Sequence, residues 1–380
     1  MKIRVAVMYG GKSVEHEISI LSALQVMHAL DKNKYQVIPI YIAKDHCMYQ
    51  GDALWDIDTY QDEDSIANKV ININLIKKGN MVMLQPIKRS FHKKQIIDLV
   101  LPIIHGTNGE DGTIQGYLEM LDLPYCGSSI IGAAINQDKV IMKQVMKQQG
   151  IPTVDFFYTT AYESETSYLK KADKLGYPLI MKPANLGSSI GIHIAKNQVE
   201  LKDKIKDSFL YDEKVIIEKV VEHLREVNIS VMGNMIHSEC SLMEEVIKSK
   251  DILSYEDKYR NTQTSKGMVS TKRILPANFD QETQTKIESL ALQSFHELCS
   301  DGVVRIDFLM DDETKNIYVN EINTIPGSLA FYLWKDSGYL FHELLDRVIE
   351  LGLDKMRRKK QKIMSYDTNI LNIQKGKKLS

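Results

Sequence analysis

Four residues late in the chain could do chemistry together: Arg305, Asp307, Glu321 and Asn323. They lie in two apolar runs, residues 303–310 and 317–323, joined by the polar turn DDETKN. If the runs pair as antiparallel strands with Asp307 opposite Glu321, Arg305 falls opposite Asn323, and alternation puts all four on one face. Ile306, Phe308, Met310, Tyr318 and Ile322 then form the inward face. Two carboxylates and an amide oxygen suit a hard, oxygen-liganded cation that also bridges phosphates, and magnesium fits better than zinc. The arginine would hold developing negative charge. A surface salt bridge from Arg305 to Asp307 or Glu321 is the plainer alternative.

Three glycine loops add to this. Lys182-Pro-Ala-Asn-Leu-Gly-Ser-Ser-Ile-Gly191 lies between two short apolar runs, and Gly187-Ser188-Ser189 offers backbone N–H groups and hydroxyls that could close over phosphates. Lys182 ends an otherwise apolar strand, where a lysine is costly unless it meets an anion or snorkels to water. His105-Gly-Thr-Asn-Gly-Glu-Asp-Gly-Thr113 follows a buried run and precedes a helical one, as a ligand loop or a plain acid-capped turn would. Gly11-Lys12-Ser13 is no P-loop, because Ala6 stands where the earlier glycine must be. Glu15, at the mouth of the helix that follows, is either a first-turn dipole partner or a ligand for an incoming ammonium.

These loops need a frame. Strand-like runs at 3–9, 37–42 and 99–104, with a helical pattern at 19–30, predict a parallel sheet covered by helices. Residues 50–95 read as a polar, weakly patterned excursion. A second block from about residue 128 opens with a helix at 138–149, ended by Gly150 and Pro152. Strands follow at 154–158, 179–182, 190–195, 215–221 and 227–232. Residues 243–276 are polar and read as a lid loop. A helix at 281–298 then leads into the carboxylate hairpin.

Composition excludes other classes. The chain has 380 residues, 48 Lys+Arg against 50 Asp+Glu, and a formal charge of −2, so no globally basic nucleic-acid binder is implied. Residues 355–380 hold nine basic residues and one Asp, which leaves the preceding 354 at −10. The basic tail reads as a solvated extension outside the chemistry, with contact to an anionic membrane surface as the sharper alternative. No run approaches the ~18–20 apolar residues of a membrane span. Four isolated cysteines suit a reducing, cytoplasmic setting, and no histidine spacing suggests zinc.

The motifs GGKSVEHEIS, HGTNGEDGTIQG, Asp138-Lys139, KPANLGSSIGI, IIEKVVEHLREVNIS, SYEDKY, RIDF and NEINTIPG occur in that order. In combination they resemble the D-alanine–D-alanine ligases of the ATP-grasp superfamily, over nearly all of residues 3–352. The resemblance implies an α/β chain: an N-terminal parallel α/β substrate-binding domain (1–127), then a two-subdomain ATP-grasp fold of α+β character. Its central part would span 128–225 and its C-terminal part 226–354, with lid loop 243–276 and the tail 355–380 beyond.

Roles follow by resemblance. Lys139 and Lys182 would contact ATP phosphates, with Gly187, Ser188 and Ser189 closing over them. Glu218, Lys219, Val220 and Val221 would bracket the adenine, and Glu226 would bind the ribose. Asp307, Glu321 and Asn323 look like ligands of two Mg²⁺ ions, or Mn²⁺ in their place. Glu15 would bind the first amino acid's ammonium, coupled through Ser188 to Tyr259, with Lys258 on the γ-phosphate. Arg305 and the Gly327 N–H resemble an oxyanion site, and His105 would line the substrate pocket. The implied reaction joins two D-alanines at the expense of ATP through an acyl phosphate, for peptidoglycan precursors, in a cytoplasmic homodimer. One departure stands out: the stretch after Gly327, Ser-Leu-Ala-Phe-Tyr, is shorter than the family's and lacks the serine that binds the second amino acid's carboxylate. Ser328 could substitute. The acceptor could therefore be D-alanine, another amino acid or a hydroxy acid, and a nucleotide-binding protein without ligase activity is the reading from another class.

Overall fold

The computed structural model describes residues 2–88, 95–247 and 272–367. Strand β1 (Ile3–Gly10) pairs in parallel with β2 (Tyr35–Ile42), and helix α1 (His16–Ala29) makes the crossover between them. β1 is buried without a break from Val5 to Tyr9, as a parallel strand covered on both faces must be. The polar, weakly patterned excursion of residues 50–95 lies at the edge of this sheet, which it extends with further strands. β3 (Met48–Gln50), helix α2 (Glu63–Lys69), β4 (Ile71–Lys78), β5 (Met81–Pro86) and β6 (Gln95–Ile97) come before β7 (Leu99–Ile103). The order is β6-β5-β4-β3-β2-β1-β7, and only β2-β1-β7 is parallel. Ile73 and Leu75 of β4 bury against Val82 and Leu84 of β5 while Asn74 faces water. A half-wet strand of this kind carries too few apolar residues to stand out as a run. The sheet is thus mixed rather than purely parallel.

Helices α3 (Thr113–Met120), α4 (Ile130–Gln137) and α5 (Lys139–Gln148) lead to a four-stranded antiparallel sheet. It comprises β8 (Phe156–Thr160), β9 (Leu179–Pro183), β10 (His193–Ala195) and β11 (Lys214–Lys219), in the order β10-β9-β11-β8. Helices α6 (Glu165–Leu175) and α7 (Gln198–Ser208) cover one face, packing Ala172, Leu201 and Ile205 on Leu179, Met181 and Ile217. Alternation turns Ile180, Lys182 and Glu218 toward the other face, where the site lies.

The third sheet has the order β14-β13-β12-β15-β16, from β12 (Leu224–Gly233), β13 (Ser238–Ile247), β14 (Lys272–Ile274), β15 (Gly302–Asp311) and β16 (Ile317–Asn323). Helix α8 (Gln281–Glu297) seals its back with Ile287, Ala291 and Phe295. Two ends of the expected lid loop are therefore paired strand, β13 with β14, and residues 248–271 lie outside the described residues. The hairpin register is as expected: Asp307 opposite Glu321 and Arg305 opposite Asn323. A bulge then places Phe308 opposite Val319, so Asn320 is extra. The inward face accordingly receives Ile317 and Val319, and Tyr318 turns away from it, against the sequence expectation.

Helices α9 (Phe331–Asp336) and α10 (Phe341–Lys360) return the chain to the first sheet, where Leu344, Leu345 and Val348 join the core around Val5 and Val7. The basic extension thus starts later than expected. Lys355 donates to the Gly127 carbonyl at 2.6 Å and sits 3.8 Å above the Tyr125 ring, and Lys359 pairs with Glu119. Residues 355–360 are a docked last turn rather than a solvated tail.

Candidate active site

A cleft of about 360 Å³ separates the second and third sheets. It is lined by Lys139, Lys182, residues 187–189, residues 218–221, Glu226, Arg305, Asp307 and Glu321, nearly all of the residues read from sequence as nucleotide or metal contacts. Two lysines mark one wall. Lys139 opens α5, whose start Asp138 caps by accepting from the N–H groups of Val140 and Ile141. Its Nζ donates to the Leu186 carbonyl at 2.8 Å and lies 3.6 Å from Glu321 Oε2. Lys182 Nζ lies 2.6 Å from Glu218 Oε2 and donates to Asn320 Oδ1 at 3.3 Å.

Glu218 is 1 % exposed and holds a second lysine, Lys143, at 2.6 Å from its other oxygen. Burial works against its charge, but the two ammonium groups overcome that and hold its carboxyl down at about 2. Burial also pushes Lys143 down, while Glu218 keeps Lys182 raised against the same penalty. Glu218 thus serves the lysines from beneath the cleft. Lys219 turns its head out, donating to the carbonyls of Gly176 and Tyr177 at 3.0 Å.

The glycine loop is strained where it approaches the first sheet. Ser188 and Ser189 take φ of 55° and 59°, a left-handed region that costs a non-glycine residue about 1–2 kcal/mol. A Cβ on Gly187 would come within 3.1 Å of Glu15 Oε2, so only glycine lets the loop come this close without displacing the carboxylate. Ser188 Oγ donates to Glu15 Oε1. Glu15 stands at the start of α1 yet makes no side-chain cap; it reaches across to the loop instead. A smaller cavity beside it is bounded by Glu15, Glu110, Lys139, Gly187, Glu321 and Asn323.

The loop at 105–113 is an acid-tied turn that also walls this cavity. Glu110 accepts from the N–H groups of Gly106 and Ile325, each at 2.9 Å. Burial, helped by the nearby Glu15 charge, raises its carboxyl to about 7. His105 is 3 % exposed, with Nδ1 2.8 Å from the Ile325 carbonyl and Nε2 2.9 Å from Ser22 Oγ. Burial lowers its pKa, and the neutral ring satisfies both partners as one donor and one acceptor. His105 therefore braces the 323–327 turn and does not line either cavity.

On the opposite wall, Arg305 clamps Asp307 with both arms, Nε to Oδ1 at 2.6 Å and Nη2 to Oδ2 at 2.8 Å. Asn323 Nδ2 adds 3.2 Å to Oδ2. Burial raises the Asp307 pKa, Arg305 opposes it, and the neighbouring Glu321 and Glu226 add to it. Arg305 is held well above its ordinary value by the same pair. Among the described residues no three His, Cys, Asp or Glu side chains form a ready-made metal cage. The donor set of two carboxylates and an amide, crowded with negative charge, fits a cation that takes its remaining ligands from phosphate and water.

Beyond Gly327, Ser328, Leu329 and Ala330 form three successive left-handed residues, with φ of 50°, 54° and 50°. The turn aims Ser328 at α1, where its Oγ donates to Gln25 Oε1 and its N–H to Ser22 Oγ at 3.1 Å. Lys258 and Tyr259 lie outside the described residues. Among the residues lining or supporting the cleft that were missed from sequence are Lys143, Asn228, Asn320, Arg273 and Tyr332. Lys143 carried a signal, standing one helical turn after Lys139 on the same face.

Comparison with known proteins places this arrangement. A family model described as the D-ala D-ala ligase N-terminus matches residues 4–128, and one for the D-ala D-ala ligase C-terminus matches residues 145–350. The D-alanine--D-alanine ligase of Thermosipho melanesiensis is 42 % identical over 379 residues, covering 99 % of this chain and 100 % of that one. The structure of the D-alanine-D-alanine ligase from Coxiella burnetii superposes with a TM-score of 0.81 at 27 % identity, covering 95 % of this chain and 96 % of the other. The VanG D-Ala:D-Ser ligase from Enterococcus faecalis follows with 0.79 at 27 %, covering 93 % and 100 %. The cleft, its lysines and its carboxylate hairpin thus sit in a mixed α/β chain with the ATP-grasp fold, and the chain belongs to the D-alanine–D-alanine ligase family.

Proposed function

We propose that the protein is an ATP-dependent ligase that joins two D-alanines, yielding D-alanyl-D-alanine, ADP and phosphate for peptidoglycan precursors. The observation that carries the reading is one cleft holding Lys139 and Lys182 on one wall, Arg305, Asp307 and Glu321 on the other, and the Glu15–Ser188 contact at its end. In this reading ATP lies between the sheets, its adenine against residues 219–221 and its ribose at Glu226. Lys139 and Lys182 take the phosphates. Glu218 sets their positions from below.

Glu15 binds the first D-alanine's ammonium and aims its carboxylate at the γ-phosphate. Phosphoryl transfer gives an acyl phosphate and ADP. The second D-alanine's amine then attacks the acyl carbon, the tetrahedral oxyanion rests at Arg305 and the Gly327 N–H, and phosphate leaves. Asp307, Glu321 and Asn323 would hold Mg²⁺, or Mn²⁺, which neutralises charge on the transferring phosphoryl group. Residues 187–189, together with Lys258 and Tyr259, would exclude water from the acyl phosphate. The working units are those read from sequence: 1–127 for substrate, and 128–225 and 226–354 for ATP. Among the described residues no helix is long and apolar enough to cross a membrane. A cytoplasmic homodimer belongs to the same proposal.

A second reading, with a different acceptor, is favoured by one observation. Ser328, the only hydroxyl in the shortened stretch before Tyr332, is spent on Gln25. The deciding assay follows phosphate release from ATP and Mg²⁺ with D-alanine alone and with mixed pairs of D- and L-amino acids and hydroxy acids. D-Alanine alone should suffice. Turnover only with a mixed pair would establish the second reading, and no release with any pair would leave a nucleotide-binding protein.

A further inference from the structure

We infer that His16 is a positioning residue for the amino acid activated first: it clamps the turn of residues 11–16 and so fixes where the Glu15 carboxylate meets the glycine loop. The inference rests on the ligase reading above, in which Glu15 binds that amino acid's ammonium, and assigns what holds Glu15 in place. His16 opens α1 and is 2 % exposed. Its Nδ1 lies 2.6 Å from the Gly11 carbonyl oxygen and its Nε2 3.1 Å from the Tyr41 hydroxyl. A carbonyl only accepts, so Nδ1 carries a proton and donates it.

The ring ties the end of the turn to its beginning. Within the turn the Ser13 N–H donates to the Gly11 carbonyl at 3.1 Å, the His16 N–H to the Ser13 carbonyl at 3.2 Å and the Glu15 N–H to Ser13 Oγ at 3.1 Å. The His16 ring contact to Gly11 is shorter than any of these. Both of its anchors belong to the first sheet. The Gly11 N–H donates to the Ile42 carbonyl at 2.7 Å, at the end of β2. Tyr41, also on β2, is 1 % exposed and packs edge-on against the rings of His16 and Tyr60, with centroids 5.7 and 5.5 Å away. The sheet therefore sets His16, and His16 sets the residue before it.

Glu15 needs such placement. It occupies the N-cap position of α1 but makes no side-chain cap. Ser188 Oγ donates to its Oε1, and its Oε2 lies between two glycines. A Cβ on Gly106 would come within 2.6 Å of that oxygen, and one on Gly187 within 3.1 Å. A gap this narrow accepts the carboxylate only where the backbone delivers it, because contacts at such distances change steeply with small displacements. A substitution that lets the 11–16 turn relax would carry the carboxylate against Gly106 or away from Ser188. Lys139 and Lys182 stand on other elements, α5 and β9, so ATP binding should not register the change.

The test uses the full chain with ATP, Mg²⁺ and D-alanine. D-Alanine-dependent positional isotope exchange within ATP requires only the first amino acid and reports on its binding. An asparagine amide nitrogen reaches about the position of Nδ1, whereas that of glutamine reaches about the position of Nε2. His16→Gln should therefore raise the D-alanine concentration for half-maximal exchange about 10-fold with the ATP KM near wild type, and His16→Asn should restore most of the loss. In a Glu15→Gln background His16→Gln should have little further effect, because both act through one carboxylate. Thermal unfolding identifies any variant that fails to fold. Tyr41→Phe, which removes only the hydroxyl, tests the same brace and should shift the same concentration in the same direction. Parallel losses in ATP KM and exchange, or a full additional loss in the Glu15→Gln background, would overturn the inference and leave His16 a histidine of the core. Unchanged exchange in both His16→Gln and Tyr41→Phe would also overturn it. Absence of D-alanine-dependent phosphate release from the wild type would instead remove the ligase reading, and the inference with it.

Discussion

Lys143 and Glu218 form an ion pair at 2.6 Å with each side chain 1 % exposed, beneath the lysine that faces the cleft. Removing one member of a buried pair leaves the other charge uncompensated, which typically costs 3–5 kcal/mol. Glu218 keeps Lys182, so Lys143→Met should cost about 3 kcal/mol, at the low end of that range. Lys182 would then be the sole cation on Glu218 and less available to ATP. Denaturant unfolding should show the loss, and the ATP KM should rise. An unchanged value of both would exclude the pair from either role.

Ser188 ties the glycine loop to Glu15 across the junction of the first and second sheets. A hydrogen bond to a charged group contributes about 1.5–3 kcal/mol, so Ser188→Ala should lower kcat/KM for D-alanine about 10- to 100-fold. The thermal midpoint should hardly move, because the loop is peripheral to every core cluster. A purely structural loop would show the reverse pattern.

Asp307 and Glu321 can be tested apart from the fold. Glu321→Ala should reduce turnover at least about 100-fold while leaving the unfolding transition intact, as loss of a group that orients a charge-neutralising cation would. Chelation of divalent cations should abolish wild-type turnover, and added Mg²⁺ should restore it. A Glu321→Ala enzyme with near-normal rate would sink the metal assignment.

Glu110 makes stability depend on pH. Its folded carboxyl titrates at about 7, above the ordinary value of 4.5, so the folded state binds the extra proton between those values. The contribution is fully present below about 4.5 and is lost as pH rises through 7. Unfolding free energy at pH 5 and pH 7.5 should therefore show a fall that Glu110→Gln flattens. An identical slope in both proteins would place the proton elsewhere.

The docked end of α10 predicts a sharp limit for truncation. A chain ending at Lys360 should keep the wild-type thermal midpoint. One ending at Asp354 loses the Lys355 contacts to Gly127 and Tyr125 and the Lys359–Glu119 pair, and should melt about 5 °C lower. Equal midpoints would mean that the last turn contributes nothing.

By itself the sequence determined the hairpin that carries Arg305, Asp307, Glu321 and Asn323. A polar turn between two alternating runs leaves little freedom of register, and a one-residue slip would turn the apolar side to water. The glycine loop, the helix that begins near Asp138 and the cost of Lys182 in an apolar strand were legible for the same reason: their signals are local. What lay outside that range depended on partners far along the chain. The bulge at Asn320 changes which side chains β16 buries, and no local pattern marks it. Strands β4 and β5 need a neighbour to cover one face before their half-polar pattern makes sense. Lys143 and Glu218 are 75 positions apart and meet only because α5 packs beneath β11. Only tertiary structure decided that Glu218 lies below the lysines, that Ser328 faces Gln25, and that Arg273 and Tyr332 share one carboxylate. Burial and charge pairing belong to the packed assembly of segments, and no single segment carries them.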